Sequence, residues 1–171
     1  MSDRLNKLLL QVDVSVPDDT ILQWLQSTVG DRRLMALLTI RKKVEAEFLP
    51  PDSYYNIAVA HLIDNDNDCR WQAFIIAARY METKPEECWE LIIKHGNSND
   101  QDTRAAVATI LLEHYFEKNP GLFDIKFRNY KQLIKSGQNN LLKTLSICYS
   151  DWGGESNQIK VNRFIENNKG S

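Results

Sequence analysis

The chain is 171 residues long, 43% hydrophobic, and carries a formal charge of −2. That length holds one domain or one short solenoid, and no apolar run approaches the roughly 20 residues that a membrane-spanning helix needs. The charge balance argues against a general nucleic-acid binder, which needs a continuous basic face to meet phosphates.

Charge is nevertheless unevenly laid out. Residues 51–118 hold twelve acids against six bases, whereas residues 119–171 hold four acids against eight bases. The start, Met1 to Lys7, mixes both signs ahead of the short apolar run Leu8 to Leu10 and has no small-residue cleavage site, so a cytoplasmic protein is expected and not a secreted one. Cys69, Cys88 and Cys148 are odd in number and lack CxxC spacing, which predicts reduced core thiols and neither disulfides nor a zinc site.

Leu5, Leu8, Leu9 and Val12 recur at i, i+3, i+4 and i+7 and predict a capping helix within residues 3–12. Four prolines then keep time: Pro17, Pro51, Pro85 and Pro120 are separated by 34, 34 and 35 residues. Each suits the first position of a helix, where a fixed helical φ helps and the missing N–H would be unsatisfied anyway. Asp18, Asp52, Glu86 and Asp124 bring negative charge to the positive end of each helix dipole. Helix pairs are therefore predicted in repeats of approximately 17–49, 51–83, 85–118 and 120–150.

The first pair runs from Pro17 to Thr28 and from Arg32 to Phe48, turned by Gly30-Asp31 and stopped by Pro50-Pro51. The second is Asp52 to Ile63 and Asp66 to Glu82, and the third is Glu86 to His95 and Asp100 to Lys118. Asp66 and Asp100 are the expected N-caps, and Gly96 is the expected left-handed helix end. The fourth pair, Leu122 to Lys135 and Gln138 to Tyr149, turns at Ser136-Gly137. After a break at Asp151 to Gly154, Ile159, Val161, Phe164 and Ile165 predict a second capping helix within 155–167, and Gly170-Ser171 has the composition of an appended scar.

A second period coincides with the first. Asp31, Arg33 and Ala36 are answered by Asp68, Arg70 and Ala73, and again by Asp102, Arg104 and Val107, so that Asp-x-Arg-x-x-(Ala or Val) opens three of the four second helices. Tyr55 likewise answers to Trp89, and His61 to His95. Recurrence of this kind speaks for packing between like units, because a catalytic site needs one constellation and repetition supplies three. The Asp64, Asp66, Asp68 cluster lacks the sixth-position Gly and the twelfth-position Glu of a calcium loop. Neither a Gly-x-Ser-x-Gly nor a phosphate-cradling Gly loop is present. The expectation is no catalytic residue, no metal and no cofactor.

Helix pairs of about 34 to 37 residues, with Asp in the turn and Arg then Ala opening the second helix, resemble the HEAT-repeat family over roughly Pro17 to Tyr149. The resemblance implies an all-α fold: a short right-handed α-solenoid of about four antiparallel helix pairs, one domain over residues 1–171, capped at both ends. It implies further that Asp31, Asp68 and Asp102 join Arg33, Arg70 and Arg104 in a ladder of hydrogen bonds along the stack, and that the second helices line a concave groove.

Helical spacing selects the groove-facing positions: Met35, Leu38, Lys42 and Glu45, then Gln72, Ile75, Arg79 and Glu82, then Ala106, Thr109 and Glu113. Trp71 and Ile75 beside Arg79 are apolar where solvent-facing residues are expected, which is the composition of an interface hot spot; the alternative is that Trp71 packs beneath a neighbouring repeat. The expected partner-binding set is Trp71, Gln72, Ile75, Arg79, Leu38, Lys42, Thr109 and Glu113. Arg41, Lys42 and Lys43, with Arg32 and Arg33, form a basic run suited to phosphates that Glu45 and Glu47 partly cancel.

The expected function is a non-enzymatic module that binds a basic or amphipathic protein segment, with no membrane and with nucleic acid disfavoured. A narrower form is an immunity-type or antitoxin-type inhibitor that occludes a partner's active site. From another class comes DNA binding or base excision: the alkylation-repair glycosylases use a HEAT-like solenoid with aromatic residues in a basic cleft, and Trp24, Trp71, Trp89 and Trp152 supply aromatics.

Overall fold

The computed structural model describes residues 3–47, 49–148 and 151–170. Every regular element among them is helical. The order is α1 (Asp3–Leu9), α2 (Asp18–Leu25), α3 (Gly30–Ala46), α4 (Asp52–His61), α5 (Asn67–Ala78) and α6 (Pro85–Gly96). Then come α7 (Gln101–Ala106), a π-helical segment (Val107–Leu112), α8 (Glu113–Lys118), a 3-10 turn (Pro120–Leu122), α9 (Phe123–Lys135), α10 (Asn139–Ile147) and α11 (Glu155–Asn167). The expected helix ends at Phe48 and Tyr149, and the terminal Ser171, lie outside the described residues. The chain gathers into two compact units, residues 1–79 and 80–171, divided close to the end of the second expected repeat.

The prolines mark helix starts in two different ways. Pro85 is the first helical residue of α6, as a fixed φ permits, and Pro120 opens the 3-10 turn ahead of α9. Pro17 and Pro51 instead stand one residue earlier, as N-caps with extended ψ of 147° and 140°. The N-cap position has non-helical backbone, so proline fits it without distorting the helix. Asp66 and Asp100 are N-caps as expected: the Asp66 carboxylate accepts from the Cys69 N–H at 3.2 Å, and that of Asp100 from the Thr103 N–H at 2.8 Å.

In the first unit, α2 packs on α3, α4 on α5 and α3 on α5, with α1 laid against α3. Surrounded in this way, α3 buries Leu34, Ala36, Leu37, Leu38, Thr39, Ile40 and Val44 completely. Its polar end is tied down by Lys43, whose ammonium donates to the Asp18 carboxylate at 2.6 Å and the Val16 carbonyl at 2.9 Å.

In the second unit, α6 and α10 pack against the π segment, and α9 packs on α10. A chain of aromatic contacts fills it: Trp89 with Tyr115 at 5.2 Å between centroids, Phe116 with Phe123 at 4.6 Å, Phe123 with Phe127 at 5.2 Å, and Phe127 with Phe164 at 5.9 Å. Each such pair contributes about 0.5–1.5 kcal/mol beyond the area it buries. Gly96 belongs to this packing and is not the left-handed helix end expected of it. It is the last residue of α6, and a Cβ there would lie 3.2 Å from a methyl of Leu141. The missing side chain lets α10 approach until the Thr144 hydroxyl donates to the Gly96 carbonyl at 2.5 Å. The glycines with positive φ are Gly137, Gly153, Gly154 and Gly170, of which Gly137 forms the expected turn between α9 and α10.

His95, next to Gly96, is buried as well. A cation at that helix end would favour the dipole, but burial, followed by the charge of Lys94, lowers the His95 pKa from 6.5 to about 4 and keeps the ring neutral. Between pH 6.5 and about 4 the unfolded chain therefore binds a proton that the folded chain refuses, so stability drops as pH falls through that window and levels off below it. This residue alone should cost about 3 kcal/mol across the window. Urea midpoints recorded against pH should show a smaller loss for His95→Gln than for the parent; identical pH profiles would contradict the assignment.

Candidate functional site

The repeated Asp-x-Arg element resolves into three separate jobs. Each arginine folds back onto the turn before its own helix. Arg33 donates from Nη1 to the carbonyls of Ser27 and Thr28 at 2.9 and 3.2 Å, and Arg104 to those of Ser98 and Asn99 at 2.8 and 2.9 Å. Arg70 repeats this with Asp64 and Asn65, at 2.8 and 3.5 Å. In every copy the acceptors are the sixth and fifth residues upstream. The chain reversal leaves those carbonyls outside any helix, and a guanidinium satisfies two of them at once. The third position, Ala36, Ala73 or Val107, is fully buried. The aspartates Asp31, Asp68 and Asp102 each occupy the second helical position, where negative charge meets the dipole.

The expected ladder of Asp31, Asp68 and Asp102 with Arg33, Arg70 and Arg104 is thus replaced by arginine clamps within each repeat. Two of its aspartates turn to a residue that the periodicity did not single out. Arg4 of α1 donates to Asp31 at 2.7 Å, to both oxygens of Asp66 at 2.8 and 3.2 Å, and to Asp68 at 3.1 Å. The first two repeats are nevertheless joined by an ion pair, through Asp64. Arg33 grips that carboxylate with Nε and Nη2, both at 2.8 Å, and the Asp66 N–H and His61 Nδ1 complete its shell at 2.9 and 3.1 Å. The Asp64 side chain is only 5% exposed. Burial alone would raise its pKa, yet the bonds from Arg33, the Asp66 N–H and His61 outweigh that and hold it at about 2. Below this cluster the Cys69 thiol is pushed up to about 12 by burial and by the Asp66 and Asp64 charges, which leaves it unreactive.

The expected partner-binding residues fall into two groups. Leu38 is wholly buried, because α3 is packed on from several sides, and Gln72 is 3% exposed, its side-chain carbonyl accepting from Arg41 of α3 at 3.1 Å. Both are core residues and not groove surface. Lys42 and Arg79 are exposed, and Trp71 and Ile75 are half-buried. Thr109 and Glu113, half-buried in the second unit, do not continue a regular stripe. Ala106 is buried, and the π segment adds a residue to the turn between it and Glu113, shifting the angular register. Thr109 directs its hydroxyl to the Ala105 carbonyl at 2.9 Å.

The basic run of α3 is engaged internally: Arg41 with Glu45 at 2.7 Å, Lys42 with Glu45 at 3.3 Å, and Lys43 with Asp18. Among the aromatics, Trp89 and Trp152 are 5% and 1% exposed, so neither presents a face to a ligand. Trp24 lines a depression of about 380 Å³ with Leu8, Val16 and Met35. No group of three or more His, Cys, Asp or Glu among the described residues is placed to hold a metal ion. No helix among them is long and apolar enough to cross a membrane.

Periodicity overlooked a cleft in the second unit. Its signal was in the sequence: Asp124, Phe127, Arg128 and Lys131 share the i, i+3, i+4, i+7 spacing of Lys160, Arg163, Phe164 and Asn167, and these eight residues line a cleft of about 430 Å³ between α9 and α11. The chain matches no family model, no curated protein and no solved structure.

The two kinds of arginine should differ in urea denaturation. Arg33→Ala leaves a buried carboxylate without its counter-ion and should cost about 3 kcal/mol or more. Arg104→Ala releases turn carbonyls that water partly reaches and should cost about 1–3 kcal/mol. Equal losses, or a larger loss at Arg104, would mean that the Arg33–Asp64 pair is not the stronger tie.

Proposed function

We propose that the chain is a short HEAT-like α-solenoid acting as a non-enzymatic protein-binding module, and that α5 presents the contact surface. One observation carries this reading. α5 is buried around most of its circumference, through Cys69, Gln72, Ala73, Phe74, Ile76 and Ala77, and the stripe left accessible along it starts polar at Asn67 and Asp68, is apolar through Trp71, Ile75 and Ala78, and ends on the C-cap Arg79. A stripe retained for solubility would be polar, whereas aromatic, β-branched and arginine side chains in succession are what interface hot spots are made of. Lys42, on the neighbouring helix α3, is exposed but paired with Glu45, so the surface offers an apolar centre with Arg79 at its edge. That composition suits an amphipathic helix or segment. Supporting the solenoid part of the reading, one arginine clamp recurs in three successive helix pairs, as expected if the pairs are copies of one unit.

An inhibitor that works by occlusion is a narrower form of the same proposal and uses the same surface. Base excision is less well supported, since two of the four tryptophans are enclosed in the core and the basic run of α3 is tied to its own carboxylates.

The test is capture of binding partners on the parent chain and on Trp71→Ala, Ile75→Ala and Arg79→Glu, after each variant is shown to unfold at the parent's temperature. Truncating a central apolar anchor should weaken the principal partner by about 2 kcal/mol, roughly thirtyfold, and Arg79→Glu should mainly slow association. A partner held equally by all four proteins would place the interface elsewhere.

A further inference from the structure

The cleft between α9 and α11, in the second unit, is charged and preorganised. Four cations line it, Arg128 and Lys131 from α9 and Lys160 and Arg163 from α11, against one carboxylate, Asp124. Asp124 is already engaged by Lys160 at 2.9 Å. No carboxylate among the described residues pairs with Arg128, Lys131 or Arg163. The Lys131 ammonium lies across the floor, 5.7 Å from the ring centre of Phe127 and 5.5 Å from that of Phe164. Two ring faces thus hold it in place between the helices, with Arg128 and Arg163 exposed on opposite walls. Gathering three cations without a counter-ion is unfavourable by itself, and a cleft of one sign concentrates its field on whatever anion enters.

We propose that this cleft binds a phosphomonoester group. Its charge of about −1.5 to −2 at neutral pH and its three terminal oxygens match three convergent cations better than a single carboxylate does. A polynucleotide fits less well. Helices of 13 residues give a cleft only about 20 Å long. Both floor rings are buried, 6% and 8% exposed, so no face is open for a base to stack on. The organic part of the ligand has apolar neighbours at hand: Ile125, one turn before Arg128, and Ile159, one turn before Arg163, are 64% and 52% exposed. A soluble phosphomonoester and a phosphomonoester lipid headgroup share this chemistry.

The experiment titrates the full chain at pH 7 with phenyl phosphate, with benzoate, and with phosphatidylcholine vesicles containing or lacking phosphatidic acid. Phenyl phosphate should saturate the protein, and benzoate should bind at least about tenfold more weakly. Lys131→Met keeps the apolar stem on the rings, and Arg163→Gln alters an exposed wall; each should weaken phenyl phosphate about tenfold or more. Lys143→Gln, which removes a charge on α10, should leave it unchanged. Should Lys131→Met fail to fold, Arg163→Gln against Lys143→Gln decides the matter alone. Binding of phenyl phosphate without binding to phosphatidate vesicles assigns a soluble ligand, and vesicle binding that phenyl phosphate displaces assigns a headgroup; either supports the proposal. It is overturned if neither phosphate probe binds, if benzoate binds as well, or if Lys143→Gln weakens binding as much as Arg163→Gln.

Discussion

The first unit depends on a buried carboxylate. Asp64 sits in the turn between α4 and α5, almost out of reach of water, and a charge in that position is tolerable only while it is fully bonded. Arg33 supplies two of its bonds from α3, and the same guanidinium reaches on to the turn between α2 and α3. One arginine therefore ties two inter-helix turns together. Arg4 does the same from α1, bridging Asp31 at the start of α3 with Asp66 and Asp68 at the start of α5. These contacts hold the helix N-termini in register, and the apolar faces of α3 and α5 pack on each other and are buried.

The second unit solves its packing with aromatic volume and close backbone approach, where the first uses ions. Gly96 admits α10, Trp89 and Tyr115 meet across α6 and α8, and Phe116, Phe123, Phe127 and Phe164 continue the contacts as far as α11. Filling the interior with rings leaves the lysines of α9 and α11 to lie over them at the surface. Core packing and the charge of the α9–α11 cleft are in this sense one feature: the rings that close the core also form the floor on which Lys131 rests.

Two surfaces of different character result. The α5 stripe is apolar at its centre with polar residues at both ends, which suits a protein partner whose affinity comes from desolvation. The α9–α11 cleft is cationic with apolar edges, which suits an anion held by directed hydrogen bonds. They lie in different compact units and call for ligands of different chemistry, so evidence for either one leaves the other open.

What the amino-acid sequence determined by itself was local. Proline spacing, the caps Asp66 and Asp100, the turn at Gly137 and the recurrence of Asp-x-Arg all act within a few residues of where they stand, and each is in the structure at or within a residue of its expected place. What those residues bond to was not local. That Arg33 takes Asp64 and leaves Asp68 to Arg4, that Leu38 and Gln72 are enclosed while Ile75 is not, and that Gly96 serves a helix crossing and not a helix end depend on which helices come together. A guanidinium spans several ångströms and chooses among acceptors by position in space, and a helical position is core or surface according to what packs on it. Only the tertiary structure decides such outcomes, because the distances that select them separate residues far apart in the chain.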